Sequence, residues 1–151
     1  MTDMDQYLDH HLPDPMTQPE FYDGVTAKRA LAWVIDVIVV SIFVVPVVIL
    51  TAFIALFFLP VVMLTVGFLY RWFTLAEGSA TWGMRLMAIE LRDAYGERLD
   101  SGTAFLHTAG YALSISTAIV QFGSAVLMCA TERGQGLTDL ALGTVMINKR
   151  A

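Results

Sequence analysis

The stretch that decides the fold begins at Arg29 and reads RALAWVIDVIVVSIFVVPVVIL as far as Leu50. Asp36 is its one charged residue after the arginine, and no further charged side chain occurs before Arg71. Because an α-helix rises about 1.5 Å per residue, about 20 apolar residues cross the hydrocarbon core of a bilayer. The apolar region is long enough for two crossings, and it predicts a transmembrane helical hairpin.

We place the two spanning helices at about residues 28–49 and 52–72, with a tight turn near Leu50–Ala52. Pro60 would then lie inside the second helix. A proline in that position removes a backbone hydrogen bond and kinks the helix. We therefore expect the second span to be bent.

Charged residues return in the loop 73–101, which we expect to lie at the membrane interface. Within this loop, Arg85 to Asp93 alternates in part between polar and apolar side chains, as a half-buried strand does. A third apolar segment follows at about residues 102–130. It predicts a third long helix, which is either continuous or a broken, re-entrant pair.

This third segment carries polar and small residues at alternating spacings of three and four. That period places them on one face of a helix. In a membrane such a face is typical of helix–helix contact, and the alternative is a polar pathway through the protein. The residues of this polar face are His107, Gly110, Ser114, Thr117, Gln121 and Ser124.

Both ends of the chain differ from the apolar middle. Residues 1–23 are acidic and contain three prolines, which predicts a disordered tail ahead of a membrane domain at 24–151. The C-terminal segment 132–151 contains a short helical pattern around Leu137–Leu142. The apolar run Val145–Ile147 then predicts a strand-like end.

The composition excludes an ordinary soluble domain. Only 15% of the residues are charged, whereas soluble domains carry about a quarter. The net charge of -5 comes from the tail, because six of the 14 acidic residues precede the first basic residue, Lys28. No basic patch exists that could bind nucleic acid. The single cysteine cannot form a disulfide within the chain.

Lysine and arginine in short loops mark the cytoplasmic side of a membrane protein. Lys28 and Arg29 therefore place the N-terminus in the cytoplasm, and the arginines from Arg71 to Arg98 place the central loop there. A continuous third helix would put the C-terminus outside. A re-entrant pair would return it to the inside and let Val145–Ile147 pair with a strand near Leu86–Leu91. We favour the return.

Asp36 is the residue whose position most demands an explanation. A carboxylate near the centre of a spanning helix costs about 2.5–3.5 kcal/mol. Arg29 lies seven residues earlier on the same face, about 10 Å away along the helix axis, so it could reach Asp36 directly or through water. Two interpretations remain open: Asp36 exchanges a proton or cation, or the pair is a fixed polar cluster that sets helix register.

Three motifs resemble the RDD family of small bacterial integral membrane proteins, over about residues 22–148. Arg29 followed by Asp36 resembles the family's opening arginine and first aspartate. GSATWGMRL, from Gly78 to Leu86, resembles its middle motif, and LTDLALGTV, from Leu137, resembles its closing motif with the second aspartate at Asp139. The resemblance implies a membrane domain for which transport is often suggested, with sodium–proton exchange attributed to some members.

The chain departs from the family pattern at three positions. Thr138 stands where the family often has histidine, Met84 stands where it often has lysine, and His107 replaces an arginine found in many members. The first change weakens any proton relay that would depend on the missing histidine.

We therefore predict an all-α membrane protein: a transmembrane hairpin, a third apolar helix and a short cytoplasmic strand-like element. Its setting would be the bacterial cytoplasmic (inner) membrane, as a multi-pass protein with a cytoplasmic N-terminus. Arg29, Asp36 and Asp139 are predicted to form one polar cluster that binds or exchanges a proton or small cation. The rival interpretation is a non-transporting structural or assembly component of a membrane complex.

Partners and chemistry follow from the same pattern. We expect contact with the lipid bilayer and either a homo-oligomer or a complex with another membrane protein. No nucleic acid, cofactor or metal is expected, and no nucleotide or hydrolase signature suggests an enzyme.

Overall fold

Two long apolar helices form a hairpin at the centre of the molecule. They are α1 (Val25–Leu50) and α2 (Leu59–Gly78) in the computed structural model, which describes residues 12–149. Each has the length and hydropathy to cross a membrane once the short 3-10 turn before α2 is included. The predicted hairpin is confirmed.

The turn between the two helices lies where the sequence predicted it. Ala52 and Phe53 take positive φ angles of 51° and 67°, and a 3-10 turn at Ile54–Phe58 leads into α2. Pro60 therefore falls in the first turn of α2, not inside the helix. The predicted kink is wrong because an N-terminal proline removes no helical hydrogen bond.

The central loop is shorter and more ordered than predicted. Helix α2 continues to Gly78, and a short helix α3 (Trp82–Leu86) follows, with the Thr81 hydroxyl accepting the Met84 amide as its N-cap. Strand β1 (Ile89–Arg92) comes next.

Strand β1 pairs antiparallel with the C-terminal strand β2 (Val145–Asn148), opposing Leu91 to Met146 and Glu90 to Ile147. This sheet confirms the predicted strand-like element. It also brings the chain end back to the end of the hairpin where α2 finishes.

The third apolar segment is a broken pair, α4 (Ser101–Ser116) and α5 (Ala118–Ala130), bent by 118°. Thr117 at the break has extended backbone angles, and the Ser116 hydroxyl bonds back to the Ala112 carbonyl, a contact that bends helices. The Thr26 hydroxyl contacts the Met128 carbonyl at 3.3 Å, so α5 returns to the start of α1. The continuous helix is therefore wrong, and the broken pair is observed, with α5 turned back toward the start of α1.

A last helix, α6 (Leu137–Leu142), follows α5 and confirms the helical pattern predicted there. It packs against α4 and α5 and leads directly into β2. The end of the molecule that carries the sheet, α3 and α6 is called the sheet end below.

The predicted disordered tail needs correction over residues 12–23. Leu12 packs against Val145 and Ile147, and the Tyr22 hydroxyl donates to the Pro13 carbonyl at 2.6 Å. A few apolar side chains inside an acidic sequence therefore cover one side of β2. Residues 1–11 of the predicted tail lie outside the described residues.

The outer surface of the helices is apolar. Large side chains such as Ile42, Phe57, Leu113 and Ile119 are exposed, as they are in a protein whose solvent is lipid. The buried residues instead concentrate at the sheet end, around Leu75, Ile89, Leu91 and Met146. The chain is an all-α membrane protein with a small two-stranded sheet.

Candidate ion-binding site

Asp36 is buried on α1, with only 7% of its surface exposed. One carboxylate oxygen accepts the Tyr70 hydroxyl at 2.8 Å and the Gly83 amide at 2.9 Å. The other accepts the Thr81 hydroxyl at 2.6 Å. Three neutral donors from α2 and the start of α3 therefore hold the carboxylate in place.

Gly83 of the middle motif lets α3 approach α1 closely. A side chain at Gly83 would collide with the Ala32 carbonyl oxygen and with the Asp36 carboxylate. The Thr81 hydroxyl has two partners, since it donates to Asp36 and accepts the Met84 amide. The threonine and second glycine of the motif thus bind the first aspartate.

Asp139 forms a second site at the sheet end and is 1% exposed. Arg29 Nη1 lies 2.7 Å from one of its oxygens, which also accepts the Gly136 amide. His107 Nε2 and the Thr144 hydroxyl lie 2.8 Å from the other oxygen. This cluster joins the start of α1 to α4 and α6.

The electrostatics of the second site favour the ionised carboxylate. Burial alone would raise the pKa of Asp139. The Arg29 guanidinium and the hydrogen bonds from His107 and Arg29 outweigh burial, so the pKa of Asp139 lies well below its usual value. Asp139 is therefore a charged, fully bonded group at neutral pH.

The structure does not form the single cluster that the sequence predicted. Arg29 contacts Asp139 and the Gly134 carbonyl, not Asp36. Within the described residues, no lysine or arginine forms an ion pair with Asp36. The expected contact between Arg29 and Asp36 is wrong because the returning C-terminal segment offers Arg29 a carboxylate at its own end of α1.

The polar face of the third segment is divided by the break in the helix. His107 joins the Asp139 cluster, and Gly110 packs against Thr138 of α6. Beyond the break, the Ser124 hydroxyl accepts the Leu137 amide. The remaining members are Ser114, which is buried, Thr117, which lies at the break, and Gln121, which is half-buried.

Sequence reasoning gave Arg71 no role in the site, because it placed this arginine at the end of the second helix and used it only as a mark of the cytoplasmic side. Arg71 lies inside α2, is 8% exposed, and places its guanidinium over the Tyr111 ring, 4.3 Å from the centroid. The uncharged run WFTLA at 72–76 was the available signal that the helix continues past this arginine.

A cavity of about 460 Å³ lies between α1, α2 and α4. Asp36, Tyr70 and Arg71 line its polar part together with Thr108 and Tyr111. Apolar residues form the rest of the wall. Asp36 therefore borders an open space, whereas Asp139 is enclosed by its partners.

The hairpin, the re-entrant pair and two buried aspartates define a small helical membrane protein with ionisable groups in its interior. The family model of the RDD family matches residues 24–143, which is most of the chain. The chain belongs to the RDD family. No curated protein and no solved structure matches it.

Proposed function

We propose that this protein binds and exchanges a proton or a small monovalent cation in the bacterial cytoplasmic membrane, with Asp36 as the exchanging group. The observation that supports this most is the position of Asp36, a buried carboxylate that borders the cavity and forms no direct ion pair with any lysine or arginine among the described residues. Arg29 and Asp139 hold the surrounding fold. The protein performs no covalent chemistry in this proposal.

The energetics of a buried carboxylate explain why Asp36 would exchange. A carboxylate at membrane depth costs about 2.5–3.5 kcal/mol, and neutral hydrogen-bond donors offset only part of this cost. A proton or a small cation bound to Asp36 removes the remaining charge. The Tyr70 hydroxyl, which donates to Asp36 and accepts the Trp82 amide, can reorient when that happens.

The position of the basic residues supports the proposed orientation. Lys28 bonds to Asn148 of β2, Arg29 bonds to the C-terminal segment, and Arg92 lies on β1. All three therefore lie at the sheet end. The positive-inside rule favours a cytoplasmic sheet end, with the N-terminus and the end of β2 both inside.

The test is flux in proteoliposomes that contain a pH-sensitive dye. We expect a sodium or potassium gradient to change the internal pH with the wild type, and Asp36→Asn to reduce the change to that of empty vesicles. Glu77→Gln serves as the control, because Glu77 is exposed and its contact with Arg85 is 3.9 Å long. An inactive wild type, or equal flux from Asp36→Asn, would remove the proposal.

The rival function is a structural component of a membrane complex. It is favoured by one observation: Asp36 already bonds α1 to both α2 and α3, as a purely architectural residue would. In either case we propose a homo-oligomer or a complex with another membrane protein, because a domain with two long apolar helices encloses little interior by itself. Loss of expression and of the oligomer in Asp36→Asn, without flux in any variant, would favour the structural role.

A further inference from the structure

Arg71 is a buried cation without an acceptor among residues 12–149. Its Nε atom is buried and makes no hydrogen bond, and its guanidinium forms no ion pair. The other arginines of low exposure differ in this respect, since Arg29 pairs with Asp139 and Arg92 pairs with Glu90. The Arg71 guanidinium lies over the face of the Tyr111 ring, 4.3 Å from the ring centroid.

A guanidinium in this position favours an anion. A ring face compensates a buried positive charge only in part, whereas a carboxylate or phosphate accepts two of its N–H groups at once. A second donor lies beside it. The Tyr111 hydroxyl accepts the Trp33 indole N–H at 2.7 Å, so its own proton remains available to an anion.

The cavity beside Arg71 has the size of a small-molecule site. Its volume of about 460 Å³ falls within the range of about 300–1,000 Å³ that is usual for such sites. Beyond the polar residues its wall is apolar and includes Val40, Met63 and Ile115. Such a lining fits a ligand that carries a hydrocarbon chain as well as a charge.

The cavity continues into a groove on the lipid-facing surface between α2 and α4. Leu64, Phe68, Ala112 and Ser116 line both the cavity and the groove. Arg71 lies nearer the sheet end of α2 than Pro60 by about 16 Å, taking 1.5 Å per residue. A charged group at Arg71 would therefore face the sheet end, and a chain in the groove would extend toward the bilayer centre.

Asp36 borders the same cavity and carries the opposite charge. Both of its carboxylate oxygens are bound by Tyr70, Thr81 and Gly83, two of which belong to the α3 region. These fixed donors stabilise its negative charge, and Asp36 and Arg71 also attract each other electrostatically. Arg71 and the Tyr111 hydroxyl are the donors left for a ligand.

We propose that this cavity binds an anionic amphiphile, with its carboxylate or phosphate on Arg71 and its apolar chain in the groove between α2 and α4. A single-chain acid and a diacyl phospholipid share this chemistry. The site does not depend on ion exchange at Asp36.

The experiment measures thermal unfolding of the purified protein in maltoside micelles during titration with dodecanoate. We expect dodecanoate to raise the melting temperature, because a ligand that binds only the folded state stabilises it. Dodecanol, which has the chain without the charge, and acetate, which has the charge without the chain, should not. Phosphatidylglycerol and phosphatidylcholine, titrated in parallel, separate a diacyl anionic lipid from a single-chain acid.

Arg71→Gln should weaken dodecanoate binding by about tenfold or more, since it removes a charged hydrogen bond. The variant should fold, because it removes an unpaired buried charge. Arg98→Gln on the exposed loop is the matched control and should bind like the wild type. Ala112→Phe, which fills the mouth of the cavity, should abolish the effect with Arg71 intact.

Two results would overturn the proposal. One is equal stabilisation of the wild type and Arg71→Gln by both anionic ligands. The other is equal stabilisation by dodecanol and dodecanoate, which would show that the charge plays no part. An effect of phosphatidylglycerol alone that requires Arg71 would support the site and identify a diacyl lipid as its source.

Discussion

At the scale of single residues, the two buried aspartates, Asp36 and Asp139, have different environments. Asp139 is paired with a guanidinium and stays charged, whereas Asp36 is bonded by neutral groups and borders a cavity. The sequence identified Arg29 and Asp36 because charges are rare in apolar helices, and the resemblance to the RDD closing motif identified Asp139. The sequence could not pair them correctly, since the partner of Arg29 lies 110 residues away along the chain.

Asp139→Asn should destabilise the folded protein strongly. Removing one member of a buried ion pair leaves the other charge uncompensated, at a cost of about 3–5 kcal/mol. Thermal unfolding in detergent measures the change. Glu132→Gln is the control, because it changes an exposed carboxylate on the loop between α5 and α6, and it should leave the melting temperature unchanged.

The Asp139 carboxylate also makes the stability of the wild type sensitive to acid. The pKa of Asp139 is lowered in the folded state, so its stabilisation is complete above the unfolded pKa of about 3.9 and is lost as the pH falls toward the folded pKa. The melting temperature of the wild type should therefore fall more steeply below about pH 4 than that of Asp139→Asn. Parallel curves for the two proteins would contradict this assignment.

At the scale of elements, hydropathy predicted the two spanning helices, partial alternation predicted β1, and a short apolar run predicted β2. The predicted helix boundaries were wrong where a local interaction determines them. Helix α2 begins at Leu59, later than predicted, because Pro60 suits a first turn, and it continues beyond the predicted end to Gly78. Helix α3 was not predicted because it is short and its position depends on its contacts with Asp36.

The contact between α3 and α1 can be tested with two glycines. Gly83→Ala should destabilise the protein by about 1–3 kcal/mol, because its Cβ would collide with backbone and with Asp36. Gly123→Ala on α5 meets no atom within 4 Å and should stabilise by about 0.5–1 kcal/mol, as alanine does in a helix. Chemical denaturation in mild detergent compares the two, and equal effects would argue against the close approach.

At the scale of the whole molecule, the chain enters and leaves the membrane domain at one end. The hairpin returns to the sheet end, α5 turns back by 118° from α4 to the start of α1, and β2 pairs with β1. Sequence left the direction of the third segment open because a polar stripe and the charge rule pointed to opposite answers. The contacts of α5 with α1, and of α6 with α4, determine this direction.

Cysteine labelling can test this arrangement in cells, in a Cys129→Ala background. Single cysteines at Asp93 and Lys149 should react only with a reagent that crosses the membrane, while one at Thr51 should react from outside. The prediction follows from the shared location of β1 and β2 and from the turn at the opposite end of the hairpin. External labelling of Lys149→Cys would contradict the re-entrant path.

The pairing of β1 with β2 has a consequence for biogenesis. Helices α1 and α2 can insert into the bilayer early in synthesis. The partner of Lys28, Asn148, is translated 120 residues later. Before the C-terminal segment is made, Arg29 also lacks its partner carboxylate, Asp139. Assembly of the sheet end therefore follows the synthesis of β2, and a nascent chain stalled before that point carries a hairpin whose polar contacts at the sheet end are incomplete.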